Sequence, residues 1–577
     1  MDKLKLKTLI DAAAGRKPCS KVFKNCRIID VFGHRIIEGN VGIFEDYIVG
    51  IGDYEGVEEI DLKGKYLSPG FIDGHIHIES SYLSPEELGS LLVPCGTTTI
   101  IADPHEIVNV NGLAGLDYMI DASYNTKLDI KFMIPSCVPA TPFENAGAVI
   151  NAEDMIEHIN KEEILGLGEF MNFPGIINGD PMVIDKLNLA IKNGKLIDGH
   201  SPGVTGKDLN AYILPGINTE HECSTADEMH ERLSKGMYIL LREGSACHEL
   251  RLLIKEVTEE NSRRCLFCSD DRQPKTILEE GHIDNHLRIS VESGIDPITA
   301  IQMASLNAAE CFKLHNKGAI APGYKADLVV LEDLNKFKVE QVYINGEKVA
   351  EKGKYLFEIE KVNSDIVRSS FNVKDFTIDK LQLKIPSGKA NIIEIQPGGV
   401  VTKRVVEEVN IDENKEFIYS EDRDILKVAV VERHKGTGNV ATGLLKGYGL
   451  KNGAVALSIA HDSHNIIVVG ANDKDMYFAV NELVKQNGGI IVVDKEKVIG
   501  SMPMPLGGIM SDKSGEWVDK KLSEIHDIAY DNLKINKDVE PIMTLCFMSL
   551  AVIPEVKLTD KGLFDVGKFD FIDVEVQ

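Results

Sequence analysis

What this sequence lacks narrows its class before any motif is read. No apolar run approaches the ~20 residues that a membrane-spanning helix needs. The opening stretch MDKLKLKTLIDAAAGRKP has basic residues but neither an apolar h-region nor a small-residue cleavage site. Its 10 cysteines follow no disulfide-framework spacing, so the expected setting is reducing and cytoplasmic, with thiols buried and inert. Cys265 and Cys268 form a lone C-x-x-C in the strand-like RCLFCSDD and read as packing residues. Positive charge is also in deficit. Lys and Arg number 63 against 90 Asp and Glu, a formal net charge of −27. Nucleic acid and anionic membranes would be repelled at long range, so neither is expected as a partner. An acidic surface instead keeps an enzyme soluble and attracts cations. Low-complexity tracts and short-period repeats are missing too.

What is present suggests several units. A chain of 577 residues corresponds to about three or four domain lengths, although a (β/α)8 barrel alone takes ~250 residues. Residues 1–65 open with a short helical stretch and then alternate with period two in KVFKNCRIIDVF and EGNVGIFEDYIVGIG. A second β-rich block covers 318–365, where Asn345-Gly346 is a two-residue hairpin signal. The two flanks are expected to form one small β-sandwich. Between them, 66–317 alternates eight apolar strands with helical segments: GFIDGHIHIE, TTTIIADPHE, KFMIPSCVPAT, ILGLGEFMN, LIDGHSPG, INTEHECS, MYILLREGS and CLFCSDDR. This is the pattern of an α/β fold, a TIM-like (β/α)8 barrel whose strand C-termini converge at one mouth. Residues 366–577 mix strands and helices and read as a separate α+β or α/β domain.

The strand ends carry the chemistry. Residues i and i+2 of a strand share a face, so His75 and His77 both point toward the barrel interior. Five other predicted strands end in Asp103/His105/Glu106, Glu169, His200, His221/Glu222 and Asp270/Asp271. Any one of these can be a helix cap or a satisfied polar residue; together, at one mouth, they form a ligand set. His75, His77, His200, His221, Glu169 and Asp270 suffice for two divalent ions, with Glu169 the natural bridge. Two such ions would lower the pKa of a bound water toward ~7 and supply a hydroxide nucleophile. Ligation by imidazole and carboxylate without thiolate suits Mn²⁺, Fe²⁺ or Zn²⁺. Asp270 ends the last strand, where an aspartate can hold the reacting water and shuttle its proton. Asp271 is read as capping the turn or orienting substrate.

The pattern PGFIDGHIHIES, followed by Glu169, His200, His221 and Asp270, resembles the amidohydrolase superfamily, whose composite sandwich domain the flank GYKADLVVL also resembles. More narrowly, ADPHEIVNVNG, GLGEFMNFPG, DGHSPGVTGKDLNAYILPGINTEHECS, LREGSA and CSDDRQP are similar to the prokaryotic adenine deaminases. The similarity continues through VERHKGTGNVATGLLKGYGLKNGAVALSIAHDSHNIIVVG and MPLGGIMSD, and so covers essentially the whole chain. The H-x-H pair is specific only to the superfamily, whereas DPHE, GEFMN and AHDSHN are specific to the family. In one respect the chain departs from the superfamily pattern: Glu169 stands where many binuclear members carry a carbamylated lysine, which disfavours a dihydroorotase- or hydantoinase-like member.

The resemblance implies hydrolytic deamination of adenine to hypoxanthine and ammonia at two divalent ions, Mn²⁺ first and Fe²⁺ or Zn²⁺ next. It implies Asp270 and Glu222 as catalytic groups and a homo-oligomer, dimer or tetramer. Asp103, His105, Glu106 and Asp271 would meet the substrate, although Glu222 and the Asp103–Glu106 group fit equally well as partners that orient the ligands. The alternative is another amidohydrolase reaction on a cyclic amide or related heterocycle. The cytidine-type zinc deaminase signature, H-x-E with P-C-x-x-C, is absent, since Pro94-Cys95 is followed by Gly-Thr-Thr. GTGNVATG lacks the G-K-[ST] ending of a phosphate loop and reads as a turn. His461, Asp462 and His464 in AHDSHN read as a self-satisfied polar turn, or as groups at the mouth, at an interface or on a further metal.

Overall fold

The computed structural model describes residues 3–368, 370–398 and 400–576. Strand-forming sequence from both flanks meets in one sheet. Cys19–Asp30, Arg35–Phe44, Tyr47–Ile51, Gly56–Asp61 and Tyr66–Pro69 supply one part, and Leu328–Leu331, Val339–Ile344, Glu347–Glu351 and Lys354–Tyr355 the other. The join is antiparallel, with Leu67 opposite Val330 and Pro69 opposite Leu328. Val41 and Ile43 on one strand, and Leu328 and Val330 on another, bury the same face against Phe23 and Tyr343. Asn345 and Gly346 both take positive φ, 50° and 77°, the conformation that a tight two-residue hairpin demands.

The middle of the chain forms a TIM-like barrel. Phe71–Ile76, Thr97–Ala102, Asp129–Ile134, Ile164–Phe170 and Leu196–Gly199 make one parallel sheet, and Thr219–Glu220, Tyr238–Arg242 and Cys265–Cys268 a second. The ring closes where Asp270 N–H donates to the His75 carbonyl at 3.0 Å and His77 N–H donates to the Asp270 carbonyl at 3.2 Å. Alternation sorts the side chains. Ile72, Ile101, Met133, Leu240 and Leu266 gather in one cluster against the helix Leu306–Cys311. Their neighbours Phe71, Ile100, Phe132, Ile239 and Phe267 join a different, larger core. A register irregularity between Asp73 and Ile76 then shifts the phase of the first strand, so that His75 and His77 turn inward while Ile76 packs in that larger core. The sixth strand is cut to two residues for a visible reason. The buried Glu220 carboxylate accepts the N–H groups of Ser201, His221 and Glu222 at 2.9–3.1 Å, in place of a sheet ladder.

Beyond the barrel, a mainly antiparallel sheet runs in the order Thr402–Glu408, Lys389–Ile395, Val440–Lys446, Ile425–Val431, Ile466–Gly470, Ala454–Leu457, Gly489–Asp494, Lys497–Pro503. Its two faces are both buried. Ala429 and Val431 pack on Met476, Ala479, Val480 and Leu483 of the helix Asp473–Lys485. The alternate residues Leu426, Val428 and Val430 belong to the same continuous core as the barrel strands, so this unit is seated on the barrel. Among the described residues, no helix is long and apolar enough to cross a membrane.

Candidate metal centre

Each of the first two imidazoles is fixed by what its Nδ1 holds. His75 Nδ1–H donates to Asp198 Oδ2 at 2.8 Å, and His77 Nδ1–H donates to the Asp103 carbonyl at 2.9 Å. Their Nε2 atoms face each other 3.1 Å apart. At that distance a positive charge, a proton or a metal ion, is needed between them. His75 is fully buried and His77 nearly so, which removes water as a remedy.

Glu169, at the end of the fourth barrel strand, divides its oxygens between two sets of imidazoles. Oε1 lies 3.4 Å from His77 Nε2, while Oε2 lies 2.6 Å from His200 Nδ1 and 3.2 Å from His221 Nε2. His221 also stacks on His75 with ring centroids 4.3 Å apart. Burial pushes the Glu169 carboxyl up, but His200, His221 and His77 outweigh it and hold the group well below the usual carboxylate range. Burial likewise opposes charge on His200 and His221, yet Glu169 drives both up to about 9. The centre thus holds fixed negative charge that recruits positive charge.

Asp270 completes the inner ring. Its Oδ1 is 3.1 Å from His77 Nε2 and its Oδ2 accepts from Arg242 at 2.7 Å. Its backbone sits at φ 57°, a conformation costly for most residues but tolerated by Asp, because the seam hydrogen bonds clamp it between His75 and His77. Arg242 also grips Glu222, whose Oε1 stands 3.6 Å from His221 Nε2 and 4.0 Å from His200 Nδ1. Asp271 is hydrogen-bonded by Ser80. Asp103 accepts the Glu169 N–H at 2.8 Å. It can approach that closely because residue 168 is glycine; a Cβ there would lie 2.0 Å from its Oδ2.

A second carboxylate–imidazole cluster adjoins the first. His105 bridges them, with Nδ1 3.3 Å from Glu169 Oε1 and Nε2 3.4 Å from Glu106 Oε1. Glu106 accepts from His461 Nδ1 at 2.5 Å and from His464 Nε2. The AHDSHN turn therefore reaches the barrel mouth rather than satisfying itself.

All the residues read as candidates from the strand ends, His75, His77, Asp103, His105, Glu106, Glu169, His200, His221, Glu222, Asp270 and Asp271, converge here. The donor set fits divalent metal: three buried trios, His75/His77/Asp270, His75/Glu169/His221 and His77/His105/Glu169, each bring ligand atoms within 4.8 Å of one another. Sequence reading missed Asp198 and Arg242. Asp198 carried a signal, since it lies two residues before His200 and so belongs to the same strand face; Arg242 ends the strand YILLR.

Comparison with known proteins agrees with this geometry. The model for the amidohydrolase family matches residues 66–349, and that for the adenine deaminase C-terminal domain matches 399–570. A protein named adenine deaminase 2 from Desulfotalea psychrophila is 60% identical over 575 residues, covering 100% of both chains. The adenine deaminase of Ligilactobacillus salivarius is 52% identical over 577 residues, again 100% of each. That of Clostridium acetobutylicum is 49% identical over 565 residues, 98% of this chain and 99% of its own. With a barrel-mouth ligand set and full-length similarity at these levels, the chain belongs to the adenine deaminase family of the amidohydrolases.

Proposed function

We propose that this protein hydrolyses adenine to hypoxanthine and ammonia at a binuclear centre, with Mn²⁺ the first choice of ion and Fe²⁺ or Zn²⁺ the next. The observation that carries the reading is the divided Glu169 carboxylate, one oxygen toward His77 and the other toward His200 and His221. His75, His77 and Asp270 would hold one ion, His200 and His221 the other, with Glu169 shared. Bound divalent ions act as Lewis acids and make water a nucleophile at neutral pH.

The chain's own groups handle the protons. Burial raises the Asp270 carboxyl, but His77 and Arg242 hold it well below its usual range, so it is an ionised base at neutral pH. Its Oδ1, beside His77, takes the proton of the attacking water and returns it to the departing amine. Glu222, at the rim on Arg242, would hand a proton to the ring nitrogen as C6 becomes tetrahedral and regain one from the C6 hydroxyl as ammonia departs. Asp198 and Asp103 orient the ligands, because their contacts end on His75 Nδ1, on His77 Nδ1 and on the Glu169 N–H. His105 and Asp271 stand at the mouth to meet the base, and Glu106 supports His105. The test is ammonia release from millimolar adenine by Mn²⁺-loaded protein, against a chelated control. No ammonia overturns the reading.

A further inference from the structure

One carboxylate beside His105 comes from the C-terminal unit and is only half engaged. Asp462 lies in the turn between Ala454–Leu457 and Ile466–Gly470 and is only 4% exposed. Its Oδ1 is 3.9 Å from His105 Nε2, and its Oδ2 has no hydrogen-bond partner. The turn is anchored, not loose: the flanking His461 and His464 both bond to Glu106. The His105 imidazole spans the gap between Asp462 and Glu169, with its other nitrogen 3.3 Å from Glu169 Oε1. Asp462 and the bridging carboxylate Glu169 thus flank one imidazole, on its Nε2 and Nδ1 sides.

A buried carboxylate oxygen without a donor is costly, and the cost is relieved when a ligand supplies the N–H. Adenine has one such donor on its five-membered ring, on the far side from the C6 amine. A base alkylated or ribosylated at N9 has none. We propose that Asp462 accepts a hydrogen bond from the five-membered-ring N–H of the purine, so that the C-terminal unit forms part of the substrate site and restricts the enzyme to free bases. The proposal rests on the deaminase reading above. It adds a specificity group supplied from outside the barrel.

The test uses the full-length Mn²⁺-loaded protein and its Asp462→Asn and Asp462→Ser variants. Two readouts are compared: kcat/KM for adenine and 9-methyladenine, and calorimetric Kd for hypoxanthine and 9-methylhypoxanthine. The wild type should prefer the unmethylated partner by about 100-fold. Each variant should lose about that factor on adenine and hypoxanthine, mainly in KM and Kd, and nothing on the methylated pair. Metal content should not change. Equal losses on both partners would make Asp462 a structural neighbour of His105 and overturn the proposal. So would a wild type that treats adenine and 9-methyladenine alike. A wild type without adenine activity sinks the deaminase reading instead, while the two hypoxanthine affinities still decide the role of Asp462. If the Asn variant does not fold, the Ser variant gives the same comparison.

Discussion

Glu169 and Glu106 are both buried carboxylates held by imidazoles, and His105 touches both, yet the two surroundings differ in kind. Around Glu106, His461 Nδ1 at 2.5 Å and His464 Nε2 each donate to a different carboxylate oxygen, while His105 Nε2 stands off at 3.4 Å. Direct hydrogen bonds reach both oxygens of that carboxylate. Around Glu169 the geometry includes two nitrogens, His75 Nε2 and His77 Nε2, 3.1 Å apart with their other nitrogens already engaged. That facing pair needs a positive charge between its nitrogens, a proton or a metal ion. The same residue types thus tie two units together in one place and divide a carboxylate between two sets of imidazoles in the other. What separates them is whether each lone pair finds its own donor.

The comparison can be broken most directly at its strong end. Glu169→Ala should lose metal and reduce ammonia release to background; an inactive variant that still held two ions by elemental analysis would deny Glu169 its bridging role. Asp270→Asn should retain metal while kcat falls by about 10²–10⁴, the range for loss of a general acid–base; an unchanged kcat removes Asp270 from the proton path. Asp198→Asn is smaller, because it frees His75 to change tautomer. Metal affinity should fall by about 10–100-fold, read by competition with a chelator.

The smallest effect belongs to the Glu106 cluster. Burial opposes the charge on His461, but Glu106 raises its pKa to about 9 from an ordinary 6.5. A raised folded-state value means that the stabilisation is fully present below 6.5 and is lost as pH climbs through 9. The Tm gap between wild type and His461→Gln should therefore be widest near pH 6 and close above about pH 9. A gap that does not vary with pH would leave the pair without its charge-assisted character.

Much of the site could be read in the chain because a parallel barrel converts strand-end positions into neighbours. His75, Glu169, His200, His221 and Asp270 needed only the alternation of strands and helices to be brought together. The partners that set tautomers and charge were harder. Asp198 looks like any acidic residue in LIDGH, and Arg242 like any strand-end cation, until distances show what they hold. The sixth strand was legible as INTEHECS, but its shortening was not, since the ladder is displaced by the Glu220 side chain. For His461, Asp462 and His464 the reading stayed open. Their partners lie more than 350 residues away in sequence for Glu106, and no local pattern reports such a contact.

By itself, the sequence determined the barrel order, the shared face of His75 and His77, and the residue types able to hold divalent ions, because period, spacing and donor chemistry are local properties. Only the tertiary structure decided that Glu169 splits its oxygens between two sets of ligands, that Glu106 meets His461 and His464, and that Asp462 lies beside His105 with an oxygen unpaired. Those outcomes depend on which lone pairs meet which donors once distant segments pack, and that is a property of the packed interior rather than of any stretch of chain.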